Sequence, residues 1–253
     1  MSIIIFLISI ALLILVHEFG HFIVAKKLGI RVDEFALGFP PKLLSKKWGG
    51  TLYTLNAIPF GGFVKIFGEN SHTEVISEED KSTSFFYKPK WVQSLVLVAG
   101  VAMNVIFAWF LISLLLLQSD GIMAFWEAAK LTAFITKETI FGLGTFLWNI
   151  ISFKADFSQV SGVVGIASIF KEAEIIGFAQ VVYLVAVISI NLAVINLVPL
   201  PALDGGRLLF VGIEAIIRRP INPKIVRTLS LISFLFLLVL MVFVTAHDIL
   251  KLI

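Results

Sequence analysis

His17 and His21 stand four residues apart with Glu18 beside the first of them, in the run H-E-F-G-H. On a helix this spacing puts both imidazoles on one face and the carboxylate on the adjacent flank. Two neutral imidazoles so placed can grip one divalent ion, and H-E-x-x-H is the arrangement in which zinc is held next to a carboxylate base. An ion bound there lowers the pKa of its water from ~15.7 towards ~7, and the carboxylate takes the proton as hydroxide attacks a carbonyl carbon. Glu18 is the natural base. The bland alternative is a buried polar cluster that pins helices together, but hydrogen bonding alone does not require this spacing.

A catalytic zinc takes three protein ligands and keeps one position open. The chain has no cysteine, so a third ligand comes from histidine or a carboxylate. Asp204 lies in the run NLAVINLVPLPALDGGR (191–207), where Pro199, Pro201, Gly205 and Gly206 break an apolar helix. Irregular backbone at membrane depth implies a cavity. On chemistry alone Asp204 is either a ligand or the cap of a D-G-G turn. Asn191 and Asn196 either bind substrate backbone or bridge helices. His72, in a polar loop, and His247, near the carboxyl end, read as solvated side chains.

The elements that position these residues follow from composition. Of 253 residues, 58% are hydrophobic and 15% charged, a balance that a soluble domain of this size could not hide in one core. Apolar runs at 2–25, 91–117, 178–198 and 228–246 each approach the ~20 residues that a helix needs to cross the hydrocarbon layer. His17, Glu18 and His21 fall within the first, where a charge costs at least ~2.5 kcal/mol and needs a partner or a cavity. Positive charge follows this first run instead of preceding it, so it reads as a retained span and not a cleaved leader.

Residues 26–90 carry ten Lys or Arg and residues 207–227 carry five, whereas 118–177 carries four against six acids. The positive-inside rule puts the first two loops, and with them the H-E-x-x-H end of span 1, on the cytoplasmic side. No Lys/Arg cluster interleaved with aromatics appears, so the basic balance points to no nucleic-acid partner.

Thr51–Ile66 (TLYTLNAIPFGGFVKI) alternates in the manner of a β-hairpin, apolar enough to be membrane-associated. Residues 125–151 place Glu127, Lys130, Lys137 and Glu138 on one stripe, which predicts an interfacial amphipathic helix, with a fifth span as the alternative. The fold class expected is an α-helical integral membrane protein with four transmembrane helices, this hairpin and this helix.

Several of these runs together resemble the site-2 protease family of intramembrane zinc metalloproteases, in its bacterial regulator-of-sigma-E type. They are His17 to His21, Pro59-Phe60-Gly61-Gly62-Phe63-Val64-Lys65, and Asn196 through Asp204-Gly205-Gly206. Ala99-Gly100 through Asn104, Ser161-Gly162 to Gly165-Ile166, and Val244-Thr245 with Asp248-Ile249 extend the match over most of the chain.

The resemblance implies one zinc per chain, held by His17, His21 and Asp204, with Glu18 as catalytic base. It implies that Asn191 and Asn196 handle the unwound substrate. It also implies that the segment around Gly61 and Gly62 is a re-entrant β-hairpin able to pair with a substrate strand, since a protease must first expose main chain that a helix conceals. The partners implied are a transmembrane polypeptide and the lipid bilayer, and the setting a bacterial inner (cytoplasmic) membrane, with the protein acting as a monomer.

Two departures stand out. Relatives of this type carry PDZ domains between spans 2 and 3, and residues 118–177 are too few for one of ~80–100 residues. Pro40, in G-F-P-P, stands where relatives tend to have glycine. Two rival readings are a metal transporter, which has no need of Glu18 and tends to show paired repeats not evident here, and an inactive scaffold that binds membrane helices.

Overall fold

The computed structural model describes residues 2–69, 76–152, 154 and 161–252. His72 lies outside these described residues. Seven helices and two strands follow in order: α1 (Ser2–Lys27), β1 (Val32–Trp48), β2 (Thr51–Ile66), α2 (Lys90–Asp120), α3 (Ala124–Ile151), α4 (Val163–Ile176), α5 (Phe178–Asn196), α6 (Asp204–Ile217) and α7 (Pro223–Leu252). Among the described residues, four helical runs are long and apolar enough to cross a membrane: Ser2–Lys27, Lys90–Ile150, Phe178–Asn196 and Pro223–Leu250. They coincide with the four apolar runs of the sequence, except that the second continues through α3.

That second run has 61 residues, which as one straight helix would extend about 90 Å, three times the hydrocarbon thickness. The 3₁₀ turn Gly121–Met123 breaks it. Beyond the turn α3 packs back, with Trp109 Nε1 donating to Phe125 O at 3.0 Å.

By its contacts the chain forms two compact units, Leu7–Asn104 with Asn196–Thr228, and Met1–Phe6 with Val105–Ile195 and Leu229–Ile253. The first is built around a core of Ala25, Ile30, Val32, Ile66, Phe85, Val92, Val96 and Val211, which joins α1, the sheet, α2 and α6. Lys90 Nζ donates to Glu214 Oε2 at 2.5 Å, and Glu214 Oε1 accepts the Ile221 N–H at 3.0 Å. This carboxylate thereby fastens α2 to the far end of α6.

The hairpin expected within 51–66 is corrected by the structure. Residues 51–66 are a single bent strand, β2, and its partner is β1, a strand that alternation did not reveal because Lys42–Trp48 mixes lysines with apolar residues. The turn is Gly49–Gly50, both at positive φ, the two-residue geometry that matches the twist of paired strands. Lys26 Nζ donates to Gly49 O at 2.9 Å and so ties this turn to the end of α1.

Both strands bend, and the register runs through three pairings. Next to the turn, Trp48 to Lys42 pair antiparallel with Thr51 to Asn56; Glu34–Leu37 then pair with Leu52–Leu55, with residue numbers rising together; Val32–Leu37 pair on their other side with Ile66–Gly62. Residues 62–66 therefore form an outer lane, paired on one side only among the described residues. A lane of this kind leaves main-chain groups available along its free edge.

In the second unit, Ala108 and Ile112 of α2, Ala128 of α3 and Ala186, Ile190 and Val194 of α5 form one core. Thr139 Oγ1 donates to Asn191 Oδ1 at 3.2 Å, about 20 Å along α5 from Phe178. Helix α3 thus packs against α5 at this point. Asp248 of α7 is buried, and its Oδ2 accepts the N–H groups of Gly162 and Gly165, both at 2.8 Å, which satisfies the first turn of α4. His247, expected to be solvated, is half-buried, and its buried Nε2 has no hydrogen-bond partner among the described residues.

Candidate active site

Helix α1 carries His17 and His21 one turn apart, both buried. Their ring nitrogens converge, with Nε2 of one 3.2 Å from Nε2 of the other. Asp204 closes the triangle: its Oδ2 lies 2.9 Å from His17 Nε2 and 3.1 Å from His21 Nε2. Although it opens α6, it does not cap it; Leu203 holds the N-cap position and no side-chain capping bond is made there. Of the two chemical readings of Asp204, the turn cap is therefore not what the geometry favours.

The segment before α6 folds tightly to deliver this carboxylate. A Cβ on Gly205 would lie 2.3 Å from Leu197 O, and one on Gly206 would lie 2.1 Å from Leu200 O. Only glycine allows the backbone to pass so closely. Asp204 Oδ2 thus faces both imidazoles, as a ligating carboxylate oxygen would.

The donor set fits a divalent ion. His21 Nδ1 donates to Val96 O at 2.7 Å, which leaves a neutral ring with only a lone pair at Nε2. That lone pair faces a carboxylate oxygen and a second imidazole, an arrangement that is repulsive unless a cation lies between them. Ligands held tetrahedrally at ~2.0–2.1 Å from zinc are about 3.3 Å apart, close to the three separations observed. Gly100 of α2 leaves the space: a Cβ there would stand 2.4 Å from His21 Nε2 and 2.8 Å from His17 Cε1. Histidine Nδ1 of residue 17 is buried and has no hydrogen-bond partner among the described residues.

Glu18 interacts electrostatically with all three of these residues. Its Oε2 also accepts the N–H of Val64 at 3.1 Å, from the outer lane of the sheet. Gly61 and Gly62 lie at the start of that lane. A Cβ on Gly62 would approach Ala36 O to 2.8 Å, and Gly61 adopts φ +100°, where a Cβ would meet the Phe39 ring at 2.8 Å. Asn196 ends α5, half-buried, and Asn191 belongs to the second unit, where it accepts from Thr139.

Sequence reasoning alone gave no role to Gly100, to Val96 O or to Val64 N–H. The first matters by the volume it leaves empty and the other two act through the main chain, so side-chain chemistry in the sequence carried no signal for them.

Four membrane-length helices, and a two-histidine, one-aspartate cluster with an adjacent glutamate, define the class, a multi-pass membrane protein with the site of a metallopeptidase. The chain belongs to peptidase family M50, the site-2 protease family, whose profile matches residues 5–240. It is similar to a protein of Clostridium perfringens provisionally named a zinc metalloprotease, with 30% identity and 98% of each chain covered. A Fusobacterium nucleatum protein with the same provisional designation is 26% identical, over 100% of this chain and 99% of its own. The Clostridium alignment runs over 339 positions, and this chain has 253 residues, so at least 86 positions of that relative face no residue here.

Proposed function

We propose that this protein is an intramembrane zinc metalloprotease that hydrolyses peptide bonds within or near transmembrane segments of other membrane proteins. The observation that carries the reading is the convergence of His17 and His21, from a helix of membrane-spanning length that also carries Glu18, with Asp204 of α6 on one point. His17, His21 and Asp204 would hold one zinc ion per chain. When bound, that ion supplies Lewis acidity and a water of lowered pKa.

The chain's own residues do the rest. Glu18 takes the proton from the attacking water and returns it to the leaving amine. Substrate main chain, once unwound, adds to the outer lane at Gly62–Ile66, where the Val64 N–H, held by Glu18 Oε2 in this structure, would pass to a substrate carbonyl. Such a strand lies next to Glu18, because Val64 is in that lane. Asn191 and Asn196 are proposed to steady the unwound substrate. The lysine- and arginine-rich loops favour a bacterial inner membrane with the active site towards the cytoplasm, and the protein is proposed to act as a monomer without a PDZ filter.

Against a metal transporter stands Glu18, which permeation does not require; against a dead scaffold stands the complete set of four residues. Co-expression with a tagged transmembrane substrate tests the reading. Cleavage by the wild type and none by Glu18→Gln supports it, and an unchanged cleavage pattern in Glu18→Gln sinks it.

A further inference from the structure

Glu69 stands three residues beyond the end of β2, and Arg207 stands one turn beyond Asp204 on α6. Arg207 Nη1 donates to Glu69 Oε1, and the two form an ion pair in which the carboxylate is only 16% exposed. Positions three apart on a helix share a face, so this pair fastens the end of the outer lane to the same side of α6 that presents Asp204. At its middle the same lane is fastened to α1 through Val64 N–H and Glu18. The chain between the two fastenings is itself held: Phe67 N donates to Arg31 O and Phe85 N donates to Phe67 O, both at 2.9 Å, and the Arg31 guanidinium lies 3.4 Å above the Phe67 ring.

The outer lane is thus pinned to both helices that supply the metal-type cluster, α1 at one point and α6 at another. A strand added to this lane takes its register from it, and strand register moves in steps set by the two-residue pleat. Resting on the strand-addition reading above, we infer that Glu69 and Arg207 are positioning residues. Their ion pair fixes the lane relative to Asp204 and so decides which bond of the substrate is cut.

Loss of the pair leaves the Val64 contact to act as a pivot. The lane then shifts, and cleavage spreads to bonds two residues to either side. A pair with a merely structural role would lower the amount of cleaved product and leave its position unchanged.

The test is the position of cleavage, read by mass spectrometry of the products from a tagged transmembrane substrate, in purified protein reconstituted in lipid. Glu69→Gln, Arg207→Gln, Arg207→Lys and the charge exchange Glu69→Arg with Arg207→Glu are compared with wild type, and bound zinc is quantified for each. The inference expects one dominant bond for wild type and Arg207→Lys. It expects two or more bonds, with the dominant share falling at least twofold, for the two Gln variants, recovery of a single bond on charge exchange, and full zinc throughout. Cleavage of the same single bond by the Gln variants overturns the clamp while leaving the protease reading intact. Zinc loss in Arg207→Gln also overturns it, because the arginine would then be a support for Asp204. A wild type that cuts nothing overturns the protease reading and the clamp with it.

Discussion

Glu18 Oε2 accepts the main-chain N–H of Val64 at 3.1 Å, so the proposed base and the free edge of the sheet are in direct contact. A hydrogen bond to a charged acceptor contributes roughly 1.5–3 kcal/mol. In Glu18→Ala the Val64 amide is therefore expected to exchange with deuterium at least about 10-fold faster than in wild type. In Glu18→Gln, whose amide oxygen can still accept, protection is expected to persist. Peptide-level hydrogen exchange over 62–66 reads both, and equal protection in all three proteins would remove the contact from the account.

Gly20 and Gly100 are where α1 and α2 approach. A Cβ on Gly20 would meet Ala99 O at 2.3 Å, and one on Gly100 would meet His21 Nε2 at 2.4 Å. Small residues permit such close passage between membrane helices. Gly100→Ala is expected to rotate the imidazoles off their common point and weaken zinc binding by about 10–100-fold, the range seen when groups around a metal's ligands are altered. Competition with a chromogenic chelator measures it.

Glu214 is buried and serves two donors, Lys90 Nζ and Ile221 N–H. Glu214→Ala removes the shared acceptor. Breaking a buried pair costs ~3–5 kcal/mol, and because the Lys90 side chain is 33% exposed a smaller loss of about 2 kcal/mol is expected here. Thermal unfolding in detergent shows this as a lowered Tm, with zinc content unchanged because the metal-type cluster lies elsewhere on α1 and α6.

Asp248 accepts two N–H groups at the start of α4, and a Cβ on Gly162 or Gly165 would lie 2.9 or 3.0 Å from its Oδ2. Asp248→Ala is expected to cost about 2 kcal/mol, the upper range for a lost helix cap, because the site is buried. Asp248→Asn, which keeps an accepting oxygen, is expected to recover most of that. A Tm series of the three proteins checks the order.

Much of this architecture is legible in the chain before any coordinates. The four apolar runs mark the membrane-length helices because hydrocarbon thickness fixes their length, and the His17–Glu18–His21 spacing follows from helix pitch. Asp204 was ambiguous by chemistry, since a D-G-G run is also a turn; the tight passage of Gly205 and Gly206 past Leu197 and Leu200 decides where its carboxylate points. The first strand is not legible by alternation, because Lys42–Trp48 mixes lysines with apolar residues, although the Gly49–Gly50 pair carries a hairpin signal. The packing of α3 against α5 through Thr139 is a contact between distant residues that no local pattern encodes.

The central claim is that a zinc ion held by His17, His21 and Asp204 lets Glu18 drive peptide-bond hydrolysis in the membrane. The most direct measurement is cleavage of a tagged transmembrane substrate by purified, lipid-reconstituted wild type, Glu18→Gln and Asp204→Asn, with zinc quantified in each. The account predicts that wild type cleaves with one zinc per chain, that Glu18→Gln keeps its zinc while its rate falls by about 10²–10⁴-fold, and that Asp204→Asn loses both zinc and activity. Cleavage by zinc-free Asp204→Asn, or an unchanged rate in Glu18→Gln, would contradict it.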